Sequence, residues 1–206
     1  GSRAVYVDRD ELDITDAAAV NAFTGNGKFE AIINCAAYTA VDKAESEEAL
    51  AAKINVDGPA NLAATGIPLI HISTDYVFDG TSCRPYTEAD RANPQSAYGR
   101  TKLAGERAVL EKASAAVIIR TAWLYSEDGN NFVKTMRRLG AEKPELRVVF
   151  DQIGTPTYAA DLAAAIVEVL PRLYPGVKEV YHFSNEGVCS WYDFACEIME
   201  LSGLRC

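Results

Sequence analysis

The chain has 206 residues, 49% of them hydrophobic and 24% charged, which is enough to bury one substantial core with room for a small annex. A net charge of -9 argues against a nucleic-acid-binding surface, although a few basic groups suffice for a local anion site. No run of about eighteen apolar residues and no signal-peptide pattern is visible, so no membrane partner is expected, and five cysteines, an odd count without a CxxC pair, suit a reducing cytoplasm.

In chain order, residues 4–7 are apolar and read as a short strand, with Asp8 at its C-terminal end. Thr15-Asp16 can cap a helix over 17–23, and Gly25-Asn26-Gly27 reads as a turn, because it precedes a strand instead of leading from a strand into a helix. Residues 31–37 give the next strand and its exit, 41–48 mix charges at helix spacing, and 56–66 form a short helix. A buried strand over 68–72 runs into Ser73-Thr74-Asp75-Tyr76, and a polar excursion over 81–94 precedes a helix over 96–111. After a strand over 116–120 the pattern turns to mixed α+β. A helix begins at Asn130-Asn131-Phe132, a strand is expected over 147–151, 152–157 is a constrained turn, and 161–170 is an apolar helix. A short strand over 180–183 and a helix over 190–201, capped by Ser190, complete the order.

The chemistry concentrates in Tyr98-Gly99-Arg100-Thr101-Lys102. On a helix, Tyr98 and Lys102 share one face and reach the same small volume. A phenol ordinarily titrates near about 10, and an ammonium beside it favours the phenolate, drawing the group towards use as a general acid or base. Alone the pair fits an amphipathic helix equally well. The strand upstream changes that reading, because it sets the Thr74 hydroxyl at the C-terminal end of a strand, the end that faces the ligand crevice in open parallel sheets. His71 and His182 lie in or beside apolar strands without a second ligand at metal spacing, and read as structural.

A small hydroxyl followed by Tyr-x-x-x-Lys resembles the short-chain dehydrogenases and reductases. Asn34-Cys35-Ala36-Ala37-Tyr38-Thr39-Ala40-Val41-Asp42-Lys43-Ala44-Glu45 is similar to a signature of their nucleotide-sugar branch, and within it of the dTDP-4-dehydrorhamnose reductase family. Segments 73–80, 98–106, 120–125, 129–136 and 151–157 also resemble that family's blocks, in its order. The resemblance implies an α/β fold, a Rossmann-like doubly wound parallel sheet with a small α+β substrate-binding portion. Residues 1–125 would bind NAD(P), and 126–206 would mostly bind substrate, with some segments returning to the main sheet. The family opens with a strand and glycine-rich turn, whereas residues 4–7 already resemble its second strand. The expectation is therefore a chain that starts after that unit and stops, at Leu204-Arg205-Cys206, before the family's C-terminal portion.

The resemblance further implies reduction of the C4 ketone of dTDP-4-dehydro-L-rhamnose by NADPH or NADH. Tyr98 would give the proton, Thr74 would hydrogen-bond the carbonyl oxygen, and Lys102 would tune Tyr98 and hold the nicotinamide ribose. Asp8 is placed at the adenosine ribose, Asp13 and Ile14 near the adenine, and Ala36, Ala37 and Tyr38 at the cofactor floor, where close packing is the alternative. Asn55 matches an asparagine that supports the site. Thr74, Asp75 and Trp123 are placed at the sugar; without the family match Trp123 would read as core. Related dehydratases carry an Asp-Glu pair after the threonine, and here Tyr76 follows Asp75, which disfavours elimination. Another epimerase or reductase of the superfamily, and a non-catalytic regulatory subunit, remain open. Mg²⁺ is used by some members but no ligands for it are identifiable, and a monomer and a homodimer are equally compatible with the sequence.

Overall fold

The computed structural model describes residues 4–206. The chain divides into two compact units: the first runs to Arg120 and regains Val169–His182, and the second is Thr121–Glu168 with Phe183–Cys206.

In the first unit, helix α1 (Ala17–Gly25) is started by Asp16, whose carboxylate accepts from the backbone N–H groups of Ala18 and Ala19. Strand β1 (Ile32–Asn34) is followed by two short helices, α2 (Val41–Ala44) and α3 (Glu48–Ala52), a widened turn at Lys53–Asp57, and α4 (Gly58–Ala64). Strand β2 (Leu69–Thr74), the long helix α5 (Ala97–Lys112) and strand β3 (Ala116–Thr121) come next. Beyond them lie β4 (Leu124–Tyr125), α6 (Phe132–Glu142), β5 (Ile153–Gly154), β6 (Thr157–Tyr158), α7 (Ala159–Val169), β7 (Lys178–His182), β8 (Cys189–Ser190) and α8 (Trp191–Leu201).

The main sheet has the order β1-β2-β3-β7, with β1 and β2 parallel from Ile32 opposite Leu69, and β3 and β7 parallel from Ala116 opposite Lys178. This is the expected parallel sheet with flanking helices. The two central strands are covered almost throughout, so they read as continuous apolar runs instead of alternating ones. Leu69 and Ile118 from the sheet pack with Val20 of α1, Leu62 of α4 and Val109 of α5 to form the largest share of the core.

Two close backbone approaches position α5. Pro59 has no N–H for the carbonyl of Asn55, four residues back, and its ring crowds that carbonyl, which accounts for the widened turn just before it. The freed carbonyl presses on α5 at Gly105, where a Cβ would sit 2.0 Å from the Asn55 oxygen. At Gly99, in the first turn of α5, a Cβ would lie 2.2 Å from the Tyr76 carbonyl oxygen. Any side chain at either position would push the helix away from these turns.

The second unit is built on short pairings, β4 parallel to β6 and β5 antiparallel to β8. Its core joins Met136 of α6 to Ala195 and Ile198 of α8, with Phe132 and Phe194 packed against them. Asn131 caps α6 by accepting from the Lys134 N–H, and Ser190 and Asp193 form a reciprocal capping box on α8.

Two expected strands are not formed. Residues 4–7 form no strand among the described residues, and Val5, Tyr6 and Val7 are exposed. Residues 147–151 likewise carry the apolar composition of a strand without a ladder, with Val149 and Phe150 exposed; a strand exists only where a neighbour supplies its hydrogen bonds. The turn expected at 152–157 instead contributes both short strands β5 and β6.

Gly105→Ala is expected to lower stability by about 1–3 kcal/mol through overpacking against Asn55. The denaturant midpoint measures it, and an unchanged midpoint would show that helix and turn are not in close contact.

Candidate active site

Strand β2 delivers three consecutive groups to its C-terminal end: the Ile72 carbonyl, the Ser73 hydroxyl and the Thr74 hydroxyl. Thr74 caps the single turn that follows, accepting from the Tyr76 N–H at 3.2 Å, and donates to the Asp75 carboxylate at 3.2 Å. Across from it, Ser96 starts α5 by accepting from the Gly99 N–H at 3.1 Å, which puts Tyr98 in the first turn and Lys102 one turn on. The Lys102 ammonium crosses to the strand and donates to the Ile72 carbonyl at 2.7 Å. The Tyr98 ring meets Tyr76 edge-on at 5.5 Å, and the Thr74 hydroxyl lies close enough to act on the Tyr98 phenol. Thr74, Tyr98 and Lys102 therefore converge as the sequence spacing implied, and each is buried.

Their electrostatics depart from expectation. Burial pushes Tyr98 up to about 12, opposed by the nearby Thr74 hydroxyl and reinforced by the charge of Asp75. Lys102 does not draw the phenol down here, because its ammonium is turned to the Ile72 carbonyl and is itself pushed down to about 8 by burial. The Glu106 charge acts in the opposite direction, favouring the ammonium, and a Cys35 thiolate would add to it only at high pH. Desolvation of its carboxyl raises Asp75, although the residue as a whole is exposed. At neutral pH the site thus holds a protonated phenol beside a charged ammonium.

A second set of residues ties this arrangement to β1. Asn55, fully buried in the widened turn, accepts from the Tyr38 N–H at 2.8 Å and donates to the Tyr38 carbonyl and to the Thr101 hydroxyl on α5. Thr101 in turn donates to the Tyr98 carbonyl at 2.9 Å. At the exit of β1, the Ala36 N–H donates to the Asn34 side chain, and Cys35, Ala36 and Ala37 leave a surface of small residues that is open to solvent at Cys35 and Ala36. His71 is buried against Asn34 at 3.0 Å and is held well below the ordinary imidazole range by burial, in keeping with a structural role.

The remaining sequence candidates are dispersed. Asp8 is exposed in a turn, its carboxylate accepting from the Arg9 N–H, not at the end of a paired strand as its placement had assumed. Asp13 folds back on Thr15, whose hydroxyl and N–H hold its carboxyl below the usual range. Ile14 packs over Gly58 and joins the core. Trp123 belongs to the second unit. It adopts a left-handed backbone (φ 49°), unusual for a bulky residue, with one indole face stacked on Trp191 at 3.5 Å.

Sequence reasoning missed one cluster. Glu106, one turn beyond Lys102, accepts from the Ser73 hydroxyl and from Arg120 at 2.9 and 2.7 Å. An arginine closing an apolar strand and a glutamate on the buried face of α5 were the available signal, since buried charges occur almost only when paired. Among the described residues no group of three or more His, Cys, Asp or Glu is arranged to hold a metal ion, and no helix is long and apolar enough to cross a membrane.

Comparison with known proteins gives the family. A family profile described as RmlD substrate binding domain matches residues 1–205. The spore coat polysaccharide biosynthesis protein SpsK of Bacillus subtilis is 41% identical, over all of this chain and 72% of its own length. The crystal structure of a dTDP-4-dehydrorhamnose reductase from Clostridium acetobutylicum superposes with a TM-score of 0.92 at 52% identity, covering 97% of this chain and 71% of that one. The Bacillus anthracis dTDP-4-dehydrorhamnose reductase, solved in complex with NADP, gives 0.91 at 44% identity over the same shares. Matched almost from end to end, and carrying its hydroxyl, phenol and ammonium together at the mouth of a parallel sheet, the chain belongs to the RmlD substrate binding domain family.

Proposed function

We propose that the protein reduces the C4 ketone of dTDP-4-dehydro-L-rhamnose to the alcohol, using NADPH or NADH, in the supply of a nucleotide sugar for surface polysaccharide. The observation that carries this reading is the convergence of Thr74 and Tyr98 with Lys102 behind them. It is supported by the likeness to two reductase structures, one of them holding NADP.

The residues present suit a nicotinamide dinucleotide. Lys102 carries three donors and spends one on the Ile72 carbonyl, which leaves a buried ammonium able to donate to ribose hydroxyls. Ala36, Ala37 and Tyr38 line the exit of β1, where small side chains let a ribose approach the backbone, and Asn55 fixes that loop through Tyr38. Asp8, Asp13 and Ile14 are assigned to the adenosine half. When bound, the dinucleotide supplies the hydride that reaches the carbonyl carbon.

The protein's own groups manage the oxygen. Tyr98 donates its phenolic proton to the oxygen as negative charge develops there, and a phenol near 12 is in the donor form throughout the neutral range. Thr74 turns its hydroxyl hydrogen from the Asp75 carboxylate to the same oxygen, so that two donors stabilise the forming alkoxide. Lys102 contributes positive charge behind Tyr98. Elimination of water is not favoured, because Tyr76 occupies the place next to Asp75 where a second carboxylate would be needed. Trp123 is assigned as an apolar contact to the sugar, and the second unit as mostly substrate-binding. All five cysteines are free, which fits a reducing, cytoplasmic setting.

Tyr98→Phe is expected to lower turnover of dTDP-4-dehydro-L-rhamnose by about 100-fold or more while cofactor binding persists; unchanged turnover would remove Tyr98 from the reaction. The ordinary lysine value of 10.5 is lowered to about 8 at Lys102, so the ammonium is present below pH 8 and lost above it. Accordingly kcat/KM should hold through neutral pH and fall as pH rises past about 8, with no limb from Tyr98 in that window. A profile flat to pH 10 would show that the ammonium is not required.

A further inference from the structure

Three buried polar groups at the site have no task in the reaction as described: Ser73, Glu106 and Arg120. They form one connected structure. The Glu106 carboxylate, on a residue 2% exposed, accepts from Arg120 Nε at 2.9 Å and Nη2 at 2.7 Å, a two-pronged grip, and also from the Ser73 hydroxyl. Arg120 lies at the end of β3, 8% exposed, with its guanidinium over the Phe78 ring at 5.2 Å and its remaining Nη1 without a partner among the described residues. Ser73 immediately precedes Thr74, and Glu106 follows Lys102 by one helical turn on the same face.

We propose that Glu106 is a positioning residue for the reduction, its carboxylate locking the Tyr98 and Lys102 face of α5 to the Thr74 end of β2 and serving as the counter-charge of Lys102. This inference rests on the reductase reading and adds to it the group that sets the geometry between proton donor and hydroxyl. Each element bearing a reacting side chain contributes one member of the cluster: β2 gives Ser73 and α5 gives Glu106, with β3 as the anchor through Arg120.

The charge argument follows from what surrounds Lys102. The groups that sense it are Glu106 on its own helix, Cys35 at the exit of β1 and His71 on β2. Desolvation raises the Cys35 thiol although the residue is open at the surface, so the thiol keeps its proton at neutral pH, and burial holds His71 neutral. Glu106 is then the one anion among them, and its charge opposes the loss of the Lys102 proton that burial promotes. Arg120 shares that anion and holds it in place.

The test uses the full chain with its cofactor and compares wild type, Glu106→Gln, Ser73→Ala and Tyr98→Phe by steady-state kinetics and melting temperature. The Lys102 side-chain nitrogen is followed by NMR as a function of pH in the same proteins. Glu106→Gln should lower kcat by roughly tenfold or more, the scale of a misplaced reacting group, with little change in the sugar's KM. Its Lys102 titration should move to lower pH. Ser73→Ala removes a link but no charge, so kcat should fall less and the Lys102 titration should stay in place. Wild-type kcat in both variants overturns the proposal, as does a Glu106→Gln protein that melts lower but titrates Lys102 as before. Should Glu106→Gln fail to fold, Ser73→Ala decides: a lower kcat at unchanged melting temperature supports positioning, and full activity overturns it. Turnover surviving in Tyr98→Phe would sink the reduction reading itself, a failure separate from any result at Glu106.

Discussion

The docking of α5 onto the end of β2 is the constraint on which the site depends. Lys102 reaches from helix to strand to bind the Ile72 carbonyl, and Glu106 reaches from the next turn to bind Ser73. Between those two ties, Thr74 has little freedom relative to Tyr98. A proton donor and a hydroxyl that must meet one oxygen atom need such fixing, because proximity is worth most when the groups need not be ordered during the reaction.

Close approach has a backbone origin. Gly99 and Gly105 leave no Cβ where Tyr76 and Asn55 present their carbonyl oxygens, so α5 lies nearer to the neighbouring turns than a helix with ordinary side chains could. Pro59 opens the turn that carries Asn55, and the side chain of Asn55 then bonds both to the loop after β1 and to Thr101. Local helix irregularity, glycine placement and the polar bridge are one device. Widened turns of this kind are frequent at functional sites, and here the widening lets one asparagine serve two elements.

Several site features are legible in the sequence. Thr74, Tyr98 and Lys102 follow from the strand, the hydroxyl at its end and a helix whose 3.6-residue period aligns positions four apart. Asp16 and Ser190 behave as caps because their short polar side chains reach the first free N–H groups where a helix begins. By contrast, residues 4–7 and 147–151 have strand composition without a strand, since pairing is a property of two segments and composition reports only one. The acidity of Tyr98 was misread for a related reason. Spacing shows that an ammonium is near, but burial depth and the direction of the ammonium decide the shift, and here burial dominates.

The amino-acid sequence by itself determined most helix starts, the apolar strands β2 and β3 and the shared face of Tyr98 and Lys102, because these rest on capping, composition and periodicity along the chain, while the parallel α/β class and the meeting of Thr74 with that face were legible through the family resemblance. The tertiary structure alone decided that Glu106, Ser73 and Arg120 would form a buried bridge, that Trp123 would stack on Trp191, and that the phenol would be raised instead of lowered. Those outcomes depend on contacts between residues far apart in the chain and on their removal from water, neither of which a linear pattern encodes.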